Sequence, residues 1–376
     1  MTIERLSDLA SREAAPRLVL KVGSSLLVEG ERVRRAWLEG LVAEIAEARA
    51  RGQDVIVVSS GAIALGASRL GLDRGGRGSL ADAQAAAAVG QIALSGLWAE
   101  LLENHGLSAA QMLLTLEDLE DRRRYLNVTA TLTRLLDAGA VPVINENDSV
   151  ATHEIRFGDN DRLAARVAQA ARASAVLLLS DVDGLFDRDP SEPGASLIRE
   201  VRRVTPDVHR MATGGSRSGM GSGGMTSKLQ AAEIAELAGI TLAIVNGTHD
   251  RPIARALGSG TGTLFHPRRK AAARKAWLGG RLHLKGTLSI DDGAVAALAR
   301  GSSLLAKGVT GVAGGFRRGD PIAIADAGGK VLAHGLSEYD AGECEALKGR
   351  HSSEHEDILG YAPRSAVVHR DQLILK

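Results

Sequence analysis

Two lysines and a run of short polar side chains are the residues of this sequence best suited to chemistry. The stretch 141–163, VPVINENDSVATHEIRFGDNDRL, begins as an apolar strand, Val141 to Ile144. It then breaks into Asn145, Glu146, Asn147 and Asp148, with Asp159, Asn160 and Asp161 further on. Open α/β sheets gather ligands just beyond the carboxyl ends of their strands. A solvated Asn/Asp turn would have the same composition, so the weight falls on what else converges. Lys21 stands near the end of a strand, Leu18 to Val22, and is followed by Gly23-Ser24-Ser25, whose N–H groups and hydroxyls can hold phosphate oxygens. A second apolar strand, Val55 to Val58, runs into Ser59-Ser60-Gly61, where a helix N-terminus makes an anion site. A third, Ala175 to Leu179, ends in Ser180-Asp181. The glycine-rich stretch 211–230, MATGGSRSGMGSGGMTSKLQ, leads into a helix carrying Lys228. A lysine at the positive end of a helix is poorly placed unless an anion sits there. This is no Walker A motif, because Ser227 rather than glycine precedes Lys228 and no strand comes immediately before.

No Ser–His–Asp or Cys–His arrangement is evident in the sequence. Two lysines with several Gly/Ser donor loops suit phosphoryl transfer, which needs positioning and charge neutralisation more than covalent catalysis. A carboxylate acceptor, with a pKa of about 4.3, is already ionised at neutral pH and needs no general base. The composition is therefore consistent with a kinase acting on a carboxylate.

The elements that must position these residues alternate in kind. Residues 1–16 read as a loose arm ending at Pro16. A helix is expected over Val33 to Arg49, with Trp37, Leu38, Leu41, Val42 and Ile45 on one face. An alanine-rich interior helix should cover 79–103, a strand 111–114, and one long helix Leu116 to Asp137. A helix starts at Arg162, a strand covers 241–247, and a short edge strand lies at 262–265. Alternation of this kind predicts an α/β three-layer αβα sandwich with a mostly parallel sheet. Beyond the basic run HPRRKAAARK the segments shorten, with strands expected at 321–325, 330–335 and 366–370; this is a small β-rich module. The predicted boundaries are 15–266 for the catalytic domain, 267–280 for a linker and 281–376 for the C-terminal domain. His351 and His355 stand i,i+4 but lack a third ligand for a metal.

Composition narrows the classes. The chain has 376 residues, enough for two domains. Its net charge of +1 supplies no field to draw nucleic acid or membrane. Aromatics are 3%, a poor supply for base stacking. The single cysteine, Cys344, rules out an intrachain disulfide or a multi-cysteine metal site. Glu4, Arg5, Asp8 and Glu13 interrupt the N-terminus, so no signal peptide is expected. No apolar stretch is expected to approach the ~20 residues of a membrane span. A soluble cytoplasmic protein is the expectation.

The segments LVLKVGSSLL, VSSGAIALG, QMLLT, VPVINENDSVAT, GDNDRLAA, LLLSDVDGLF, GSGGMTSKLQAAEIA and GTLFHP together resemble the glutamate 5-kinase family, amino acid kinases with a C-terminal PUA domain. RGSSLLAKGV, AHGLSEY, ILGY and AVVHRD extend the resemblance, which spans the chain from about residue 15. It implies the amino acid kinase fold with a PUA-like tail, and ATP- and Mg²⁺-dependent phosphorylation of the γ-carboxylate of L-glutamate, the first step of proline biosynthesis. Carried onto matching positions, it implies that Lys21 and Lys228 neutralise the transferring phosphoryl group and that Asp161 orients them. It places glutamate at Ser60, Gly61, Asp148, Asp159 and Asn160. ATP would lie at Lys21, Gly23, Ser24, Ser180, Asp181 and the run Ser222, Gly223, Gly224, Met225, Thr226, Ser227, Lys228. Serine stands at 180 where the family has threonine, keeping the hydroxyl but not the methyl that restricts its rotamer. The resemblance also implies feedback inhibition by proline, a homo-oligomer (dimer or tetramer) and a functional link to glutamyl phosphate reductase. Aspartate kinase, N-acetylglutamate kinase and uridylate kinase share the fold. An N-acetyl substrate has no α-ammonium and would not call for Asp148 and Asp159. A PUA-type RNA-binding protein is the reading from another class. Against it, residues 281–376 carry about a dozen basic and a dozen acidic residues, with no net basic patch.

Overall fold

Strands that are apolar on both faces need cover on both faces, and helices here supply it. The computed structural model describes residues 2–29, 32–150, 159–212, 224–268, 284–364 and 366–375. Contacts divide the chain into two compact units, Met1–Glu120 with Asn127–Lys270, and Asp121–Leu126 with Ala271–Lys376.

The principal elements between residues 17 and 265 follow in order. They are β1 (Arg17–Val22), α1 (Arg35–Ala50), β2 (Asp54–Ser59), α2 (Ala62–Leu70), α3 (Leu80–Glu103), β3 (Ala109–Leu114), α4 (Arg122–Asp137) and β4 (Val141–Glu146). Then come α5 (Asp159–Ala171), β5 (Ala175–Ser180), β6 (Glu200–Val201), α6 (Met225–Ala238), β7 (Thr241–Asn246), α7 (Pro252–Ser259) and β8 (Thr263–Phe265). The eight strands form one sheet in the order β6-β8-β7-β5-β1-β2-β4-β3. All neighbours are parallel except β7 and β8. On one face Leu18, Leu20, Val22, Val55, Val57, Leu177 and Leu179 share a core with Trp37, Leu38, Leu41 and Ile45 of α1 and Leu94 and Trp98 of α3. Side chains alternate along a strand, so Lys21 points to the opposite face, where α5 packs on β1 and α6 packs on α5.

Several expectations change. The N-terminal arm is not loose: Ile3, Leu6, Leu9, Ala14 and Ala15 are buried in that core. The buried Gln53 amide donates to the carbonyls of Leu9 and Ala15, at 2.9 and 2.8 Å. The long helix over 116–137 breaks in two, Leu116–Glu120 and α4, because the Asp121 carboxylate accepts from the Arg124 N–H at 2.9 Å and caps a new start. The 262–265 strand is not the edge, since β6 pairs outside it.

The α3 helix has 24 residues and by length and hydropathy alone could cross a membrane, contrary to the sequence expectation. One face of it is in close contact with α2. A Cβ on Gly66 of α2 would lie 1.8 Å from the Ala86 carbonyl oxygen, and one on Gly90 of α3 would lie 1.8 Å from that of Ala62. The two backbones touch, which leaves no room for any side chain at these points.

The second unit holds a five-stranded sheet, with β9 (Gly286–Ile290), β10 (Val309–Gly314), β11 (Pro321–Ala325), β12 (Val331–Leu336) and β13 (Leu373–Leu375) in the order β10-β9-β11-β12-β13. Leu288, Ile322, Ile324, Ala333, Tyr339, Leu347 and Val368 belong to its own core. The strand expected at 366–370 is only a bridge, Leu304 to Val368. The His369 ring accepts from the Asp371 N–H and turns the chain before β13. His351 caps a turn and His355 is buried, so the two do not form a ligand pair.

The α2–α3 contact makes a direct prediction. Gly66→Ala or Gly90→Ala should lower the melting temperature by an amount equivalent to at least ~1–3 kcal/mol. Gly96→Ala, on the same α3 but with open space around it, should be neutral or stabilising by up to ~1 kcal/mol. Thermal denaturation of the three variants checks it, and equal shifts would contradict the close contact.

Candidate functional site

Strand register sets the site. Val22 of β1 stands level with Ser59 of β2 and Leu179 of β5. Ser180 pairs with Asn246 of β7, and β4 is aligned with β2 so that Asn145 falls level with Ser59. The strand ends therefore form a row that is level to within one residue, with Ser59 and Asn145 beside Val22 and with Ser180 and Asn246 one position beyond. The turns after it begin with Gly23, Ser60, Asp181 and Gly247. The sheet order reverses at β1, whose partners are β2 on one side and β5 on the other, so the row lies at a topological switch point.

Beside β1, Asp161 in the first turn of α5 is fully buried between two lysines. Lys21 Nζ lies 2.7 Å from Asp161 Oδ1 and Lys228 Nζ lies 3.3 Å from Oδ2. The Ser227 hydroxyl donates to Oδ2 at 2.8 Å. Burial pushes the Asp161 pKa up, but the two ammonium groups and the hydrogen bonds from Lys21 and Ser227 outweigh it and hold it at about 2. Burial lowers the pKa of Lys21, opposed by the charge of Asp161 and reinforced by that of Lys228. One carboxylate thus serves two buried ammonium groups, and the triad carries a net charge of +1. An anion entering here meets charge that a single internal carboxylate cannot balance.

Next to the triad lies an amide chain. Asn160 Nδ2 donates to Ser60 Oγ at 2.7 Å and to Asn145 Oδ1 at 3.1 Å. Asn145 Nδ2 donates to Gln91 Oε1 of α3 at 2.8 Å. Gly61, at φ +112°, occupies backbone space that favours glycine and starts α2 immediately after Ser60. Asp148 is buried two residues past β4. The half-buried Arg77 lies within its field: burial lowers the guanidinium's pKa and Asp148 raises it.

The predicted residues fall out as follows. Lys21, Asp161, Ser227 and Lys228 meet directly, and Ser60 meets Asn160. Gly23 adjoins Lys21, a Cβ there lying 3.7 Å from Nζ. Ser24 opens a helical turn, Ser24–Leu27. The Ser180 hydroxyl donates to Asp181 at 3.2 Å, and Asp181 is close enough to act on the charge of Lys21. Gly224 caps α6, whose first turn holds Met225 and Thr226. Ser222, Gly223 and the side chain of Asp159 lie outside the described residues. Residue types alone pointed to neither Gln91 nor Arg77. A glutamine on an otherwise alanine-rich helix was the available signal for the first; nothing singled out an arginine in a glycine-rich turn.

The Amino acid kinase family profile matches residues 16–246, and the PUA domain profile matches 286–359. A glutamate 5-kinase from Novosphingobium aromaticivorans is 70% identical over 377 residues, covering 100% of both chains. The chain belongs to the glutamate 5-kinase family. Others of the family are similarly complete matches: one from Sphingopyxis alaskensis is 61% identical over 96% of this chain and 98% of its own, and one from Zymomonas mobilis is 54% identical over 96% and 92%. This glutamate 5-kinase family member thus combines an eight-stranded amino acid kinase sheet with a separate β-rich PUA domain.

The buried triad predicts an acid dependence. The folded pKa of Asp161 lies below the unfolded value of about 3.9. Its stabilising contribution, on the order of 2 kcal/mol, is complete above that value and lost as the pH falls toward 2. In chemical denaturation, the gap between the wild type and Asp161→Asn should be constant at neutral pH and narrow below about pH 4. A gap independent of pH across that window would contradict the assignment.

Proposed function

We propose that the chain transfers the γ-phosphoryl group of ATP to the γ-carboxylate of L-glutamate, giving L-glutamyl 5-phosphate and ADP, the first step of proline biosynthesis. The observation that carries this reading is the net-positive triad of Lys21, Asp161 and Lys228 at the strand ends. Lys21 and Lys228 neutralise charge on the phosphoryl group as it moves between two anionic oxygens, and Asp161 holds both ammonium groups in place. Ser60, Gly61, Asp148, Asp159 and Asn160 bind glutamate. Gly23, Ser24, Ser180, Asp181 and the loop from Ser222 to Lys228 receive ATP. The residues fit a nucleotide, because two buried lysines share the one carboxylate of Asp161 and the α6 N-terminus opens from a glycine. Among the described residues no three His, Cys, Asp or Glu side chains gather into a metal cluster. A Mg²⁺ ion bound with ATP would supply further charge neutralisation at the transferring phosphoryl group.

The catalytic domain is assigned to 15–266, a linker to 267–280 and the PUA-like domain to 281–376, with a cytoplasmic location. Proline acts as a feedback inhibitor, and the labile acyl phosphate passes to glutamyl phosphate reductase. A homo-oligomer is supported by the outer face of α3, where Leu80 is 40% and Ile92 74% exposed among exposed alanines.

Hydroxylamine trapping with glutamate, aspartate, N-acetylglutamate and UMP tests the acceptor, and preference for any but glutamate would overturn the reading. Lys21→Ala and Lys228→Ala should each lower kcat by roughly a hundredfold or more. Asp148→Asn should raise KM for glutamate tenfold or more while leaving KM for ATP nearly unchanged, since an ammonium loses its counter-charge. An equal rise for ATP would move the ammonium contact elsewhere. A chain ending near residue 273 should keep folding and retain measurable kinase turnover; complete loss of both would refute the domain assignment.

A further inference from the structure

Glutamate carries three charges, and the triad accounts for the γ-carboxylate end alone. Its α-ammonium and α-carboxylate form a neutral pair that must also lose water, and buried charges need partners. The second pair of charges in the site, Asp148 and Arg77, is also neutral and has the matching sense.

Arg77 reaches this place through the fold rather than through the chain. It follows the turn Asp73–Gly76, 17 residues after Ser60. Gly76 has φ +75°, and a Cβ there would lie 2.9 Å from Ala67 Cβ, 3.1 Å from Ala86 Cβ and 3.5 Å from Ile63 Cγ2. The turn is therefore clamped onto α2 and α3 and brought back beside the first turn of α2, just past Ser60 and Gly61. From the other side, Gln91 of α3 holds Asn145, three residues before Asp148. Three segments converge: the turn ending at Arg77, the turn at Ser60, and the chain leaving β4. Asp148 is 8% exposed, and the guanidinium of Arg77 is half-buried and feels its charge.

We propose that Arg77 is a specificity-determining residue of the acceptor site, its guanidinium receiving the α-carboxylate of the amino acid while Asp148 receives the α-ammonium. The inference rests on the assignment of glutamate as acceptor. The neutral pair of Arg77 and Asp148 matches the neutral zwitterionic head. The remaining negative charge is left to the γ-carboxylate, which the net-positive triad attracts. The arrangement sets the substrate's direction, because reversing it would bring the head's ammonium to the two lysines. A guanidinium fork also suits a planar carboxylate in a way that an ammonium does not.

The test compares glutamate with its α-amide, which keeps the ammonium and the γ-carboxylate but has a neutral α-carboxamide. The wild type should favour glutamate in kcat/KM by a hundredfold or more. In Arg77→Met that preference should collapse to within about tenfold, mainly through KM for glutamate, with KM for ATP unchanged. Arg77→Lys should recover part of the preference and guards against a folding defect in the first variant, which melting temperatures also check. A preference unchanged in both variants, or a loss of activity equal for the two acceptors, overturns the role of Arg77 alone. A wild type inert toward glutamate overturns the acceptor assignment, and this role with it.

Discussion

A single buried carboxylate between two buried ammonium groups is the interaction on which the rest of this molecule depends. The three residues come from β1, α5 and α6 and are separated by 140 and 67 positions in the chain. They meet only if the helices sit correctly on the sheet. Desolvating two lysines is costly, and Asp161 offsets it for both. The triad's own excess, one positive charge on largely buried groups, suits it to receiving an anion. Ser227 steadies the carboxylate from the first turn of α6, so the geometry does not rely on flexible lysine side chains alone.

The parallel sheet makes this possible. Because the strand ends agree to within one residue, the turns after β1, β2, β4, β5 and β7 are delivered to one row. The register that aligns Val22 with Ser59 and Leu179 also places Lys21 on the face covered by α5. Around the row, two buried indoles find partners within the fold. The Trp98 indole donates to Ser59 Oγ at 3.0 Å, and that of Trp37 donates to the Gly247 carbonyl at 2.8 Å. The large side chains beneath the strand ends thereby fix the turns above them.

The second unit manages charge differently. Glu338 lies 3.8 Å from Arg318 and 3.5 Å from Arg364. Burial raises its pKa against the lowering effect of both guanidinium groups. The Tyr339 hydroxyl donates to the Arg364 carbonyl and accepts from the Arg364 N–H. These contacts tie Arg364 to the turn that follows β12, which suits consolidation of a small core. The buried Cys344 thiol, pushed up to about 12 chiefly by burial, belongs to that core and is not a nucleophile.

The sequence by itself determined the alternation of strands and helices, because continuous apolar runs and helical periodicity are local signals. It also determined which turns carry donors, since Gly/Ser/Asp clusters immediately follow those runs. Lys21, Lys228 and Asp161 were legible as residue types at strand ends and helix starts, and the family resemblance supplied their pairing. Tertiary structure alone decided the rest. Residues 2–15 look unstructured because their apolar side chains are spaced irregularly, yet the core of the first unit recruits them. Helix 116–137 breaks where Asp121 finds a backbone N–H to cap. Gln91 and Arg77 reach the site because two glycines let α2 and α3 touch and a third clamps the following turn. That is a matter of backbone distance in space, and spacing along the chain carries no trace of it.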